Sequence, residues 1–149
     1  MNRYETLKEF FYKSIEEKSH GIYKKEAYFH SLKVAAICQH LALQLDLDIE
    51  LAGIIGLYHD YSTYINQTSF DHANRSSILV NDILINLPFT EDEINIIVTS
   101  IKNHSTKNKT DDIYSELIKD ADVLAQYLEE PSKQFNEDYQ IRLKKYLQQ

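Results

Sequence analysis

Leu57-Tyr58-His59-Asp60 ends the most apolar run of the chain on a histidine and a carboxylate. Side by side, these offer a neutral imidazole nitrogen and an anionic oxygen, two ligand types suited to a divalent transition metal. A dipeptide carries that chemistry only if other elements deliver further ligands to it. Working upstream, Asp48 is placed to cap a helix that runs through Ile49, Ala52, Ile55 and Gly56 to His59. Gly53 and Gly56 cost helix propensity, which is tolerable where a neighbouring backbone comes close. His59 continues the inward stripe, and Asp60 lies about 100° further round at the helix end.

Before it, the spacing predicts a helix over about 24–45 with Ala27, Val34, Ile37, Leu41 and Leu45 on one stripe. His30 falls within that stripe and His40 at its rim, and His40 reads as structural. A first packing helix over about 6–17 carries Leu7, Phe10, Phe11 and Ile15, and Ser19-His20-Gly21 breaks it, with His20 solvated or capping.

Downstream, residues 61–70 read as a polar, aromatic-studded loop of the kind that supplies substrate contacts. A helix from about Asp71 to Asn86, through Ile78, Leu79, Ile83 and Leu84, puts Arg75 on the face of His72, where it meets either phosphate oxygens or a surface carboxylate. Thr90-Glu91-Asp92-Glu93 has the capping-box pattern and opens a helix whose stripe is Ile94, Ile97, Ile101 and His104. A lysine-rich connection over 105–110 leads to a helix over about 112–129 with Ile113, Leu117, Ala121, Leu124 and Leu128 inside. Asp120 and Asp122 flank that stripe on opposite sides, and periodicity leaves open which of them faces a site. Residues 131–149 read as a last amphipathic helix on Phe135, Tyr139, Leu143 and Tyr146.

The 149 residues suit a single domain spanning 1–149, and only three Gly and two Pro suit long helices with short connections. Cys38 stands alone, so no disulfide forms within the chain. A formal net charge of -7 argues against nonspecific nucleic-acid binding, which needs clustered Lys and Arg. With no secretory pattern at Met1-Asn2-Arg3-Tyr4-Glu5 and no apolar run near about 18 residues, the expectation is a cytoplasmic protein without a membrane anchor. Oligomeric state is not legible.

His30, His59, His72 and His104 thus sit on inward stripes or at helix ends, and a helical bundle builds metal sites from such side chains. The order His30, His59-Asp60, Asp122 resembles the HD-domain phosphohydrolase superfamily. His30-Ser31-Leu32-Lys33-Val34-Ala35 is similar to its first motif and Ile118-Lys119-Asp120-Ala121-Asp122-Val123-Leu124 to its last, which favours Asp122 over Asp120. Asp71-His72-Ala73-Asn74-Arg75-Ser76-Ser77 and Ile101-Lys102-Asn103-His104-Ser105 are similar to segments that hold a second metal in bacterial symmetrical dinucleoside tetraphosphate hydrolases and cyclic-dinucleotide phosphodiesterases. Those families commonly have a lysine where this chain has Thr63, so their substrates do not carry over.

The resemblance implies an all-α, HD-type helical bundle of about six to seven helices with its core over about 27–128. It implies one or two divalent transition metals, iron or manganese favoured and zinc, cobalt or nickel possible, held by His30, His59, Asp60 and Asp122, with Asp60 bridging to a second metal on His72 and His104. The activity implied is hydrolysis of a small phosphorylated substrate, expected to be a nucleotide, by a metal-activated hydroxide. Arg75, Lys33 and Lys102 are the candidates for meeting charge on the phosphate oxygens beside Asp60. A di-iron oxygenase and a noncatalytic ligand-binding module are the alternatives on the same scaffold.

Overall fold

Asn2, Asp48, Thr90 and Asp112 each precede a helix, and each side chain accepts a hydrogen bond from the backbone N–H three residues on, at 2.8 to 3.1 Å. Capping of this kind satisfies donors that the first helical turn leaves unpaired. At Thr90 the bond is reciprocal, because Glu93 Oε1 accepts from the Thr90 N–H at 2.9 Å. The computed structural model describes residues 2–147 and contains, among them, eight helices and no strand. They are α1 (Arg3–Lys18), α2 (Gly21–Leu45), α3 (Ile49–Tyr58), α4 (Tyr61–Asn66), α5 (His72–Leu84), α6 (Glu91–Asn103), α7 (Ile113–Glu129) and α8 (Glu137–Leu147).

The centre of the bundle is α3. Every residue from Leu51 to His59 is buried, which is why its sequence is apolar all round rather than striped. α1, α2, α6 and α7 surround it. The closest approach is at Gly56, where an added Cβ would lie 2.7 Å from Ala35 Cα on α2. Lacking that atom, α3 settles against α2 and brings His59 alongside His30, their ring centroids 5.2 Å apart.

The all-α helical bundle is as expected, and the one added element is the short α4, which makes part of the expected loop at 61–70 a helix. Polar composition is overridden there by tertiary contacts. Tyr61 packs its ring near Tyr58 and Phe11, Tyr64 is buried, and the Ser62 N–H donates to Ser76 Oγ on α5 at 2.9 Å. α2 begins three residues earlier than expected, at Gly21, whose φ of +56° suits glycine. Leu45, Ile113 and Leu128 are exposed rather than inside, since each lies at a helix end beyond the covering neighbour. Along α5 it is Ala73, Ser76, Ser77, Val80 and Leu84 that turn inward, leaving Ile78 on the surface.

The last helix starts only at Glu137, and residues 148 and 149 lie outside the described ones. α8 packs on α7 and inserts Arg142, which donates to the Lys107 and Lys109 carbonyls and to Glu116 and Asp120 at 2.9 to 3.1 Å. From α7, buried Lys119 donates to the Lys109 carbonyl and to Asp111. Two cations therefore pin the connection between α6 and α7. No helix of the described residues is long and apolar enough to cross a membrane.

Candidate metal centre

Five helices converge on one point. His30 comes from the middle of α2, His59 and His104 follow directly on the ends of α3 and α6, His72 opens α5, and Asp122 projects from α7. Asp60 lies between them, its two oxygens turned toward different partners. Oδ2 is 3.1 Å from His59 Nε2 and 3.6 Å from His30 Nε2, while Oδ1 is 3.1 Å from His104 Nε2 and 3.4 Å from His72 Nε2. Asp122 Oδ1 completes the first group, 2.9 Å from His30 Nε2 and 3.5 Å from His59 Nε2. The groups His30, His59, Asp60, Asp122 and Asp60, His72, His104 each gather their ligand atoms within 4.8 Å. Metal–ligand bonds of about 2.1 Å set neighbouring ligand atoms roughly 3.0 to 3.4 Å apart, matching these separations.

The imidazoles are oriented as ligands. His59 Nδ1 donates to the Gly56 carbonyl at 2.7 Å, His104 Nδ1 to the Ile101 carbonyl at 2.7 Å, and His72 Nδ1 to the Ser69 carbonyl at 3.1 Å. In each case the acceptor lies three residues back, so the tautomer that leaves Nε2 with a lone pair is the one satisfied. His59 Nε2 is fully buried without a hydrogen-bond partner. Leaving such an atom unpaired is costly. A lone pair aimed at carboxylate oxygens is satisfied by a cation between them, and the donor set of imidazole and carboxylate, without thiolate, fits a divalent transition metal.

Electrostatics agree. Burial opposes charge on His30 and His59, but Asp122 and Glu129 push the first up to about 10, and Asp60 with Asp122 push the second up to about 9. Burial also opposes ionisation of Asp60 and Asp122, yet His59 and His104 hold the first, and Lys107 and His30 the second, well below the usual carboxylate range. His104 is lowered, chiefly by burial. Without metal the two carboxylates stay ionised and draw protons onto His30 and His59, protons that a bound cation would displace.

Asp120, the alternative to Asp122, faces away and binds Arg142, Lys145 and Tyr146. Lys33 lies 3.5 Å from Glu129, Lys102 is exposed and Arg75 half-buried, and none of the three lines the cavity beside the cluster. His20 and His40 are exposed. Two residues that sequence reading missed do belong here. Glu129 Oε1 accepts from His30 Nδ1 at 2.9 Å, and buried Lys107 donates to Asp122 Oδ2 at 2.8 Å and to the His104 carbonyl at 2.6 Å. Lys107 looked like one more solvated lysine of a polar connection, and only its packing distinguishes it. Glu129 lies seven residues after Asp122 on α7, two turns along the same face, a signal that was available.

The cluster opens into a cavity of about 700 Å³. Ile22, Tyr23, Tyr64 and Tyr139 give it apolar wall, and Thr63 and Ser105 add hydroxyls.

With this arrangement in view, the likenesses to known proteins are informative. The HD domain family model matches residues 27–127. The chain belongs to the HD-domain family. No protein of curated function matches it. Among solved structures it is similar to a predicted HD superfamily hydrolase from an uncultured Thermotogales bacterium, with a TM-score of 0.66 and 17% identity over 97% of this chain and 90% of that one. That likeness extends the HD fold to α1 and α8, outside the matched segment.

Proposed function

We propose that this chain is a metal-dependent phosphohydrolase acting on a small phosphate ester, with a nucleotide as the expected substrate. The observation that carries the proposal is the orphaned His59 Nε2, fully buried and facing Asp60 and Asp122. His30, His59, Asp60 and Asp122 would hold one ion, and Asp60, His72 and His104 a second. A bound divalent ion would lower the pKa of a coordinated water and offset charge developing at phosphorus. The protein's own part is orientation. The histidine rings are locked by backbone carbonyls, Asp122 is held by Lys107, and the cavity is of the size that encloses small-molecule ligands. Membership of a family containing hydrolases and the fold shared with the Thermotogales protein support the reading.

The test is elemental analysis of purified protein, followed by phosphate release from nucleotides and related esters with manganese, iron or chelator. Metal-dependent release that is lost in Asp60→Ala supports the proposal. Bound iron with oxygen uptake and no phosphate release would replace it with the oxygenase reading, and full turnover by Asp60→Ala would end it.

A further inference from the structure

The cavity wall away from the metal centre is acidic. Among the described residues that line the cavity, three carboxylates lie outside the metal centre, Glu26, Glu129 and Glu130, and two lysines, Lys107 and Lys133, line it with them. Lys107 is committed to Asp122, which leaves Lys133. Glu26 stands one turn before His30 on α2, and Glu129 and Glu130 end α7. Glu26 and Glu130 are exposed at the mouth, whereas His59 and His104 are buried at the inner end. The C-terminus of α7 adds the negative end of its dipole at the same place.

Resting on the phosphohydrolase reading, we infer that the mouth is a charge filter, and that the substrate class is a phosphate monoester of an uncharged, nucleoside-sized alcohol rather than a di-, tri- or tetraphosphate. A single phosphate would spend its charge against the bound metal ions, Lys107 being held by Asp122 and the His104 carbonyl. Further phosphoryl groups would extend outward onto Glu26 and Glu130, where the cavity lining offers only Lys133 in compensation, Glu129 being already paired with His30 and Lys33. Like-charge juxtaposition discriminates against the wrong ligand as effectively as a contact selects the right one. The apolar faces of Ile22, Tyr23 and Tyr139 suit the uncharged part of the substrate.

The full chain, loaded with manganese, is assayed for kcat/KM on adenosine mono-, di- and triphosphate and on diadenosine tetraphosphate. In parallel, calorimetry measures binding of hydrolysis-resistant phosphonate analogues of the three mononucleotides. The monophosphate is expected to lead in both arms. A Glu26→Gln/Glu130→Gln variant should raise the triphosphate-to-monophosphate ratio about tenfold, and added salt should narrow the wild-type gap by screening. Glu91→Gln, remote on α6, should leave the ratio unmoved. Preference for a polyphosphate, or a ratio indifferent to both the double variant and salt, overturns the inference. If no ester is hydrolysed but the analogues still bind in the expected order, the hydrolase reading fails while the filter stands.

Discussion

Lys107 and Asp122 form a buried ion pair at 2.8 Å, through the carboxylate oxygen that does not face His30. One oxygen of Asp122 thus points at the candidate metal position and the other is fixed by a cation from the connection after α6. Arg142 and Lys119 fix that connection in turn.

Lys107→Met should therefore destabilise the metal-free protein by about 3 kcal/mol, the usual result of removing one partner from a buried pair. The deficit is expected to shrink with saturating manganese, because bound cation would offset the charge left on Asp122. Urea unfolding with chelator and with manganese measures both.

Glu129 orients His30 through its Nδ1. Carboxylates in that relation to a ligand histidine typically account for about 10- to 100-fold in metal affinity. Glu129→Ala is expected to weaken manganese binding within that range while leaving the helical circular dichroism spectrum intact, and competition with a fluorescent chelator reads the change.

Gly56→Ala places a methyl 2.7 Å from Ala35 Cα and 2.9 Å from the Val34 carbonyl oxygen, backbone atoms that cannot swing aside. Overpacking of this kind costs roughly 1 to 3 kcal/mol. Because the Gly56 carbonyl also holds His59 Nδ1, metal affinity should fall together with thermal stability. A variant that lost only stability would show the two to be independent.

The pH dependence of the metal-free protein follows from His30 and His59, raised to about 10 and about 9. Their contribution is complete below the unfolded value of about 6.5 and is lost as pH rises through the folded values. Stability measured by denaturant in chelator should therefore fall between about pH 7 and 10. His104, shifted down, acts only below that window. Asp60 and Asp122, also shifted down, contribute above the unfolded carboxylate value and lose that contribution as pH falls through their folded values. Saturating metal, which takes the place of the imidazole protons, should flatten the alkaline limb.

What could be read from the chain alone was what is local. Helix starts at Asp48, Thr90 and Asp112 follow from side chains that reach their own backbone three residues on, and inward stripes placing His30, His59 and His104 follow from the helical repeat. Asp122 was preferred to Asp120 only through the HD resemblance, since periodicity treats the two flanks of a stripe alike. The tertiary structure decided everything that depends on which faces meet. It folded Tyr61–Asn66 into a helix because tyrosine rings found partners on α1 and α3. It turned Asp120 to Arg142 and Asp122 to the centre, and it drew Lys107 inward. Arg75, Lys33 and Lys102 were left outside the cavity lining, and the carboxylates of α2 and α7 came together at its mouth. Those outcomes rest on distances between residues far apart in sequence, which packing of whole helices sets and no local spacing encodes.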